Sequence, residues 1–187
     1  MKKTHRHNWL TYRMELCVIR LRDLIRPPAK VLTDVGVQSG MTVLDFGCGP
    51  GGFSLAAAQI VGCNGVVYAV DVQPAALESV RRGAARRRID NLRPLLGDEI
   101  SQVPSASVDM VLLYDVLHID PDPASPRALL ETIHRVLKPD GVLSVRDHHL
   151  EERPIVTHVT DGGLFRPTEH NRWAFQFEKI ATTETNP

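Results

Sequence analysis

Asp45, Gly47, Gly49, Gly51 and Gly52 stand together in the stretch VLDFGCGPGG, residues 43 to 52. Glycines at this spacing let a backbone turn sharply and approach a ligand closely. A helix beginning near Gly51 aims its positive dipole end at the same place, where a pyrophosphate would be at home. Asp45, two residues before Gly47, argues against a diphosphate, because like charges repel. The same carboxylate suits a ligand that carries positive charge. Asp71 follows Gly51 by twenty positions, where an acid accepts the protons of both ribose hydroxyls. Asp98, in the GDE of residues 97 to 99, ends a third apolar run, where an acid can meet the amino group of adenine.

The glycines satisfy two templates at once. G-x-G-x-x-G is a dinucleotide fingerprint, and D-x-G-x-G-x-G is the loop that holds S-adenosylmethionine. Asp71 does not discriminate, since NAD-binding proteins also carry an acid there. Asp45 does, because S-adenosylmethionine bears an ammonium and a sulfonium. An NAD-dependent oxidoreductase also lacks an obvious hydride-transfer partner such as Tyr-x-x-x-Lys in this chain.

Further along, Asp115 and His118 follow a fourth apolar run, and Asp147, His148 and His149 follow a fifth. These are candidate general bases, needed when an acceptor starts protonated and weakly acidic. Asp115, His118 and His148 are the residues expected to act on the acceptor. Cys48 reads as a small loop filler. His134 is expected on a helix surface, and His158 is expected to reach the pocket or cover the core.

The elements that position these groups are legible from residue 40 onward. TVLDFG, VVYAVD, LRPLLGD, VDMVLLYD and VLSVRD read as strands, and near-continuous hydrophobicity means strands buried on both faces of a parallel sheet. Helices are expected at 51–61, 74–88, 124–137 and 151–161. This alternation predicts a doubly wound α/β sheet. Right-handed crossovers then bring Asp45, Asp71, Asp98, Asp115 and Asp147 to one rim. The tail LFRPTEHNRWAFQFEKI reads as an antiparallel pair turning at EHNR and closing the sheet edge, with Phe165 and Trp173 in the core.

Composition sets the class. A chain of 187 residues with 43% hydrophobic and 24% charged residues is that of one soluble domain. Lys plus Arg is 22 and Asp plus Glu is 22, which argues against a dedicated nucleic-acid binder. Three cysteines without metal spacing and no apparent secretory signal predict a cytoplasmic protein.

VLDFGCGPGGFS, VYAVDV, LLGDEI, VDMVLLYDVLHI and LKPDGVLSV resemble, in order and spacing, the motifs of the class I S-adenosylmethionine-dependent methyltransferases, over roughly residues 30 to 150. The resemblance implies a seven-stranded, mostly parallel Rossmann-like sheet with an antiparallel edge hairpin, and S-adenosyl-L-methionine as cofactor. It implies that Asp45, Gly47, Gly49 and Gly51 hold the methionine end and that Asp71 holds the ribose. Val72 then packs beside the adenine, and Asp98 and Glu99 face its amino group. Tyr114 and Asp115 then sit where the fourth strand meets the transferring methyl. The metal-dependent catechol-type O-methyltransferases take ligands from the ends of strands four and five. Asp115, Asp147 and His148 are the corresponding residues here, with His where those enzymes have Asn. The favoured expectation is that no metal binds.

Residues 1–28 are expected to form an N-terminal helix serving as a lid, and 29–187 the cofactor-binding domain. Leu10, Met14, Cys17, Val18, Leu21 and Ile25 fall at helical spacing. Basic residues with Trp9 and Tyr12 leave open a peripheral membrane contact through 8–26. The run RRGAARRR, 81 to 88, reads as a solvated helix face. The expected function is methyl transfer to a small-molecule acceptor, with nucleic acid unlikely as a partner. Its alternatives are a binding protein of the same fold without catalysis and a metal-assisted O-methyltransferase.

Overall fold

A computed structural model describes residues 27–117 and 125–181. The helix expected within 8–26 and His118 lie outside the described residues.

Helix α1 (Pro28–Asp34) precedes strand β1 (Thr42–Phe46), helix α2 (Gly52–Val61), strand β2 (Val66–Asp71) and helix α3 (Pro74–Arg87). Strand β3 (Leu92–Leu96) runs into a 3-10 turn (Gly97–Gln102) and then strand β4 (Val108–Tyr114). Helix α4 (Ser125–Val136), strand β5 (Leu137–Arg146) and helix α5 (Glu152–Thr160) follow, and strands β6 (Phe165–His170) and β7 (Phe175–Lys179) end the fold. The four interior helices expected from sequence lie within a residue of their expected ends.

The seven strands form one sheet in the order β3-β2-β1-β4-β5-β7-β6. β1 to β5 pair in parallel, whereas β7 is antiparallel to both β5 and β6. The C-terminal hairpin therefore closes the edge with its second strand inside and its first outside.

Alternation along each strand makes two cores. Val43, Val67, Ala69, Met110 and Leu112 pack on one face against Val31 and Leu32 of α1, Ala57 and Val61 of α2, and Leu77 and Val80 of α3. Leu44, Val70, Val111, Leu113 and Val145 pack on the other against Leu130, Ile133, Ile155 and Val159. Strands covered on both sides read as continuous apolar runs for this reason. The chain leaves β1 toward β2 and β3, then returns to β4 on β1's other side. That reversal of strand order opens a crevice at the C-terminal ends of β1 and β4, where open α/β sheets bind ligands. Among the described residues, no helix is long and apolar enough to cross a membrane.

Candidate functional site

The glycine loop leaves β1 into this crevice. Gly47 and Cys48 donate their N–H groups to the Val70 carbonyl at 2.8 and 3.0 Å, tying the loop to the end of β2. Gly51 caps α2 at φ +90°, and a Cβ there would fall 2.7 Å from Val80 Cγ2. Gly49 also has positive φ, +52°, but an added Cβ would meet nothing within 4 Å. Its bare Cα faces open space. Gly51 has no side chain with which to cap α2, and the Asp45 carboxylate takes the Ser54 N–H of the first turn, so the N–H groups ahead of Ser54 are left to solvent or to an anionic group.

Asp71 braces the loop. Its Oδ2 accepts the Gly49 N–H and its Oδ1 accepts the Gln73 N–H, both at 2.8 Å. Each oxygen keeps a further acceptor position, since an ionised carboxylate has about four lone-pair sites. Next to it, Val72 is 76% exposed. It is an apolar side chain held out at the rim, with its Cγ1 about 3.0 Å from where a Gly97 Cβ would stand. Asp98 is exposed on the adjoining 3-10 turn. Glu99 turns the other way: its Oε2 accepts the Leu96 N–H at 2.7 Å, capping the turn. The unsatisfied donor at the start of that turn claims this oxygen of Glu99.

Asp45 is 3% exposed and accepts a hydrogen bond from the Ser54 hydroxyl. Burial pushes its pKa up to about 6, against the lowering effect of the Ser54 hydrogen bond. Ser54 was not anticipated. The signal lay in its place: 54, 57, 58 and 61 share the buried side of α2, and a lone serine on an apolar stripe needs a polar partner. Cys48 is buried beside this pair, and desolvation pushes its thiol far above its usual range. A buried, neutral thiol suits a loop filler.

Tyr114 does not open into the crevice. It is buried, hydrogen-bonded to the Ser144 hydroxyl at 3.0 Å, and packed edge-on against Phe53 with centroids 5.0 Å apart. Burial raises its pKa to about 12. The Arg146 guanidinium lies 4.7 Å from the Tyr114 ring centre and 5.0 Å from that of Phe53. Tyr114 therefore supports a cation at the end of β5.

One residue later the chain does reach the rim. Asp115 holds φ +57°, an uncommon conformation that Asp tolerates better than most residues. Its Oδ1 accepts both the backbone N–H of His148 at 3.0 Å and the ring Nδ1–H at 2.8 Å. Burial works to raise the Asp115 pKa, but the two His148 hydrogen bonds and the Arg146 charge prevail and lower it. An ionised carboxylate on Nδ1 leaves Nε2 as the acceptor nitrogen of a neutral ring. Asp147 is buried and accepts the His149 N–H at 3.0 Å. Among the described residues, no three His, Cys, Asp or Glu side chains come together as a metal site.

The remaining histidines lie elsewhere. His134 is buried, bonded through Nε2 to the Ile180 carbonyl at 2.9 Å and set edge-on to Phe165, which overturns its expected surface position. His158 is exposed and bonds Pro154 O within its own helix, so it neither reaches the crevice nor covers the core. Phe165 is core as expected. Trp173 is partly buried and donates Nε1–H to Asp34 Oδ2 at 2.6 Å.

Comparison with known proteins adds an independent finding. The family model described as a methyltransferase domain matches residues 37–180. An arsenite methyltransferase of Halobacterium salinarum is 34% identical over 110 residues, which is 58% of this chain and 27% of that protein. An aklanonic acid methyltransferase of Streptomyces is 33% identical over 92 residues, 48% of this chain and 42% of that protein. The chain thus spans less than half the length of these two relatives. The crystal structure of a SAM dependent methyltransferase from Aquifex aeolicus aligns at TM-score 0.68 and 25% identity, covering 83% of this chain and 90% of that one.

Proposed function

Because the chain belongs to the S-adenosylmethionine-dependent methyltransferases of the class I fold, we propose that it methylates a small molecule bearing an acidic O–H group. The rim fits the cofactor on its own chemistry. Gly49 offers bare backbone and open space, Asp71 has acceptor capacity to spare, and Val72 exposes apolar surface that a purine ring would cover. In this reading Asp71 takes the ribose hydroxyls, Val72 and Asp98 the adenine, and the open start of α2 the methionine carboxylate. Asp45 supplies negative charge beneath the cationic end. S-adenosylmethionine supplies a methyl group on a good sulfur leaving group, so the protein's task is alignment and exclusion of water.

The observation that carries the acceptor class is the Asp115–His148 pair. Asp115 fixes the ring through Nδ1 and leaves Nε2 to accept a proton. A positioned base contributes when the acceptor is protonated at working pH, as a phenol or enol is. A soft, thiol-bound acceptor such as arsenite fits less well. Of the two described cysteines, Cys48 is buried, and Cys63 lies just past the far end of α2.

Two measurements test the reading. Calorimetry with S-adenosylmethionine and with NADH should give heat from the first alone. A panel of phenols, enols, thiols and amines, read by formation of S-adenosylhomocysteine, should give turnover with O–H acceptors. Cofactor binding without turnover on any acceptor would favour the non-catalytic alternative.

A further inference from the structure

At the end of the sheet away from the crevice, a cleft of about 630 Å³ opens between the last turns of α2 and α3 and the start of β2 and β3. Arg87, Arg88 and Arg93 line it, with Asp90 as its one acidic side chain. Elsewhere, Arg135 and Lys179 also bond backbone carbonyls, whereas several exposed cations find carboxylates: Lys30 pairs with Asp34, Arg82 with Glu78, Arg127 with Glu131, and Lys138 with Asp109. The cleft arginines do not. Arg87 Nη1 bonds the Gly83 carbonyl at 3.4 Å, and Arg93 Nη1 bonds the carbonyls of Asp90 and Leu92 at 2.7 and 3.3 Å. Among the described residues neither of these, nor Arg88, has an ion-pair partner. Arg86, on the same last turn, also bonds only a backbone carbonyl, that of Arg82 at 3.2 Å.

A favourable interaction with the negative end of α3 accounts for Arg86 and Arg87. It does not account for Arg93, on the edge strand, or for Arg88. Arg88 occupies the left-handed position that ends α3, with φ +54° and ψ +47°. Glycine is the ordinary residue there, and a long side chain carries a conformational cost. Asn91 closes the cleft floor, its Nδ2 donating to the carbonyls of Ala58 and Gly62 at 3.0 and 2.7 Å. Those carbonyls at the end of α2 are thereby already satisfied.

We propose that this cleft binds a small anion carrying two or more linked phosphate groups. Guanidinium forks match phosphate oxygens in pairs, and several cations in one concavity focus field onto a compact polyanion. The volume is that of a small-molecule site. A nucleic-acid strand is less well served: no aromatic side chain lines the cleft to stack a base, and the chain's formal net charge is zero.

The test is calorimetry on the full chain at physiological salt without divalent ions. Orthophosphate, pyrophosphate, tripolyphosphate, citrate and a short RNA duplex are the ligands. Tripolyphosphate and pyrophosphate should bind, orthophosphate more weakly, and citrate weakest. The double variant Arg88→Gly, Arg93→Gln should weaken tripolyphosphate binding by about tenfold or more, since it removes two charge-assisted donors. Glycine suits the backbone at position 88, so this variant folds at least as readily there. Its S-adenosylmethionine affinity should stay that of the parent chain, which keeps this result separate from the assignment of the rim. Failure of tripolyphosphate to bind, equal binding by the variant, or citrate binding as tightly would overturn the proposal. RNA binding that tripolyphosphate does not displace would overturn it in favour of a nucleic-acid surface.

Discussion

Asp45 and Ser54 are joined inside the protein, a strand-end carboxyl accepting from the hydroxyl in the first turn of the next helix. The pair places an acid of pKa about 6 under the glycine loop. It is nearly fully buried, and its ionisation is costly until a cation arrives above it.

Cofactor affinity should therefore depend on pH. A cationic ligand favours ionised Asp45, so binding should strengthen as pH rises through 6 and level off above 7. The expected gain from pH 5 to pH 7 is about tenfold, the change in ionised fraction across that window. Asp45→Asn should flatten the curve. Calorimetric titration with S-adenosylmethionine at several pH values reads this directly, and an unchanged slope in the variant would remove Asp45 from the binding site.

The same residue has an opposite effect on the ligand-free protein. Its folded pKa lies above the ordinary 3.8, so the folded state holds the extra proton, and stability falls as pH rises from about 4 through 6. At pH 8, Asp45→Asn should raise the melting temperature of the free protein while weakening cofactor binding. A variant that melts lower at pH 8 would contradict the burial cost.

Gly49→Ala separates cradle from scaffold. The backbone at φ +52° costs an alanine about 1–2 kcal/mol, and no neighbour obstructs the methyl group. Thermal melts should show that modest loss, whereas cofactor affinity should fall by a larger factor because the methyl group enters the crevice. Comparable losses in both would mean that Gly49 serves the turn alone.

His148→Gln should lower kcat on an O–H acceptor by about 10² or more, the usual scale for losing a positioned base. Cofactor affinity should stay constant. An unchanged kcat in the variant would point to another base.

Asp34 ties α1 to the β6–β7 turn by accepting from Trp173 and Arg172, and these bonds, the Trp173 one foremost, lower its pKa to about 2. A depressed folded pKa means that the clamp contributes fully above pH 4 and is lost as pH falls through 2. Acid titrations followed by tryptophan fluorescence should show a transition in that range that Asp34→Asn removes.

Much of this frame was legible in the residues. VVYAVD became β2 residue for residue, and the helix expected at 74–88 stops one residue earlier, where Arg88 turns left-handed. Apolar periodicity is local, and so are these elements. What failed depended on partners far along the chain. His134 reads as surface within its own helix, yet its partner is Ile180, 46 residues away. The Tyr114 hydroxyl likewise finds a partner no local pattern announces, Ser144, 30 residues on. The Glu99 bond to Leu96 is local, because an acid three residues past a turn's start has a backbone donor within reach.

The place of β7 has a consequence for assembly. It fills the gap between β5 and β6, and Gln176 on it donates to the Val35 carbonyl at 2.7 Å, 141 residues back. Until β7 is in place, β5 keeps one row of unmet backbone groups and β6 has no neighbour in the sheet. A chain cut before Phe175 should therefore expose the β5 edge, and the sheet should close only once β7 can reach both β5 and Val35.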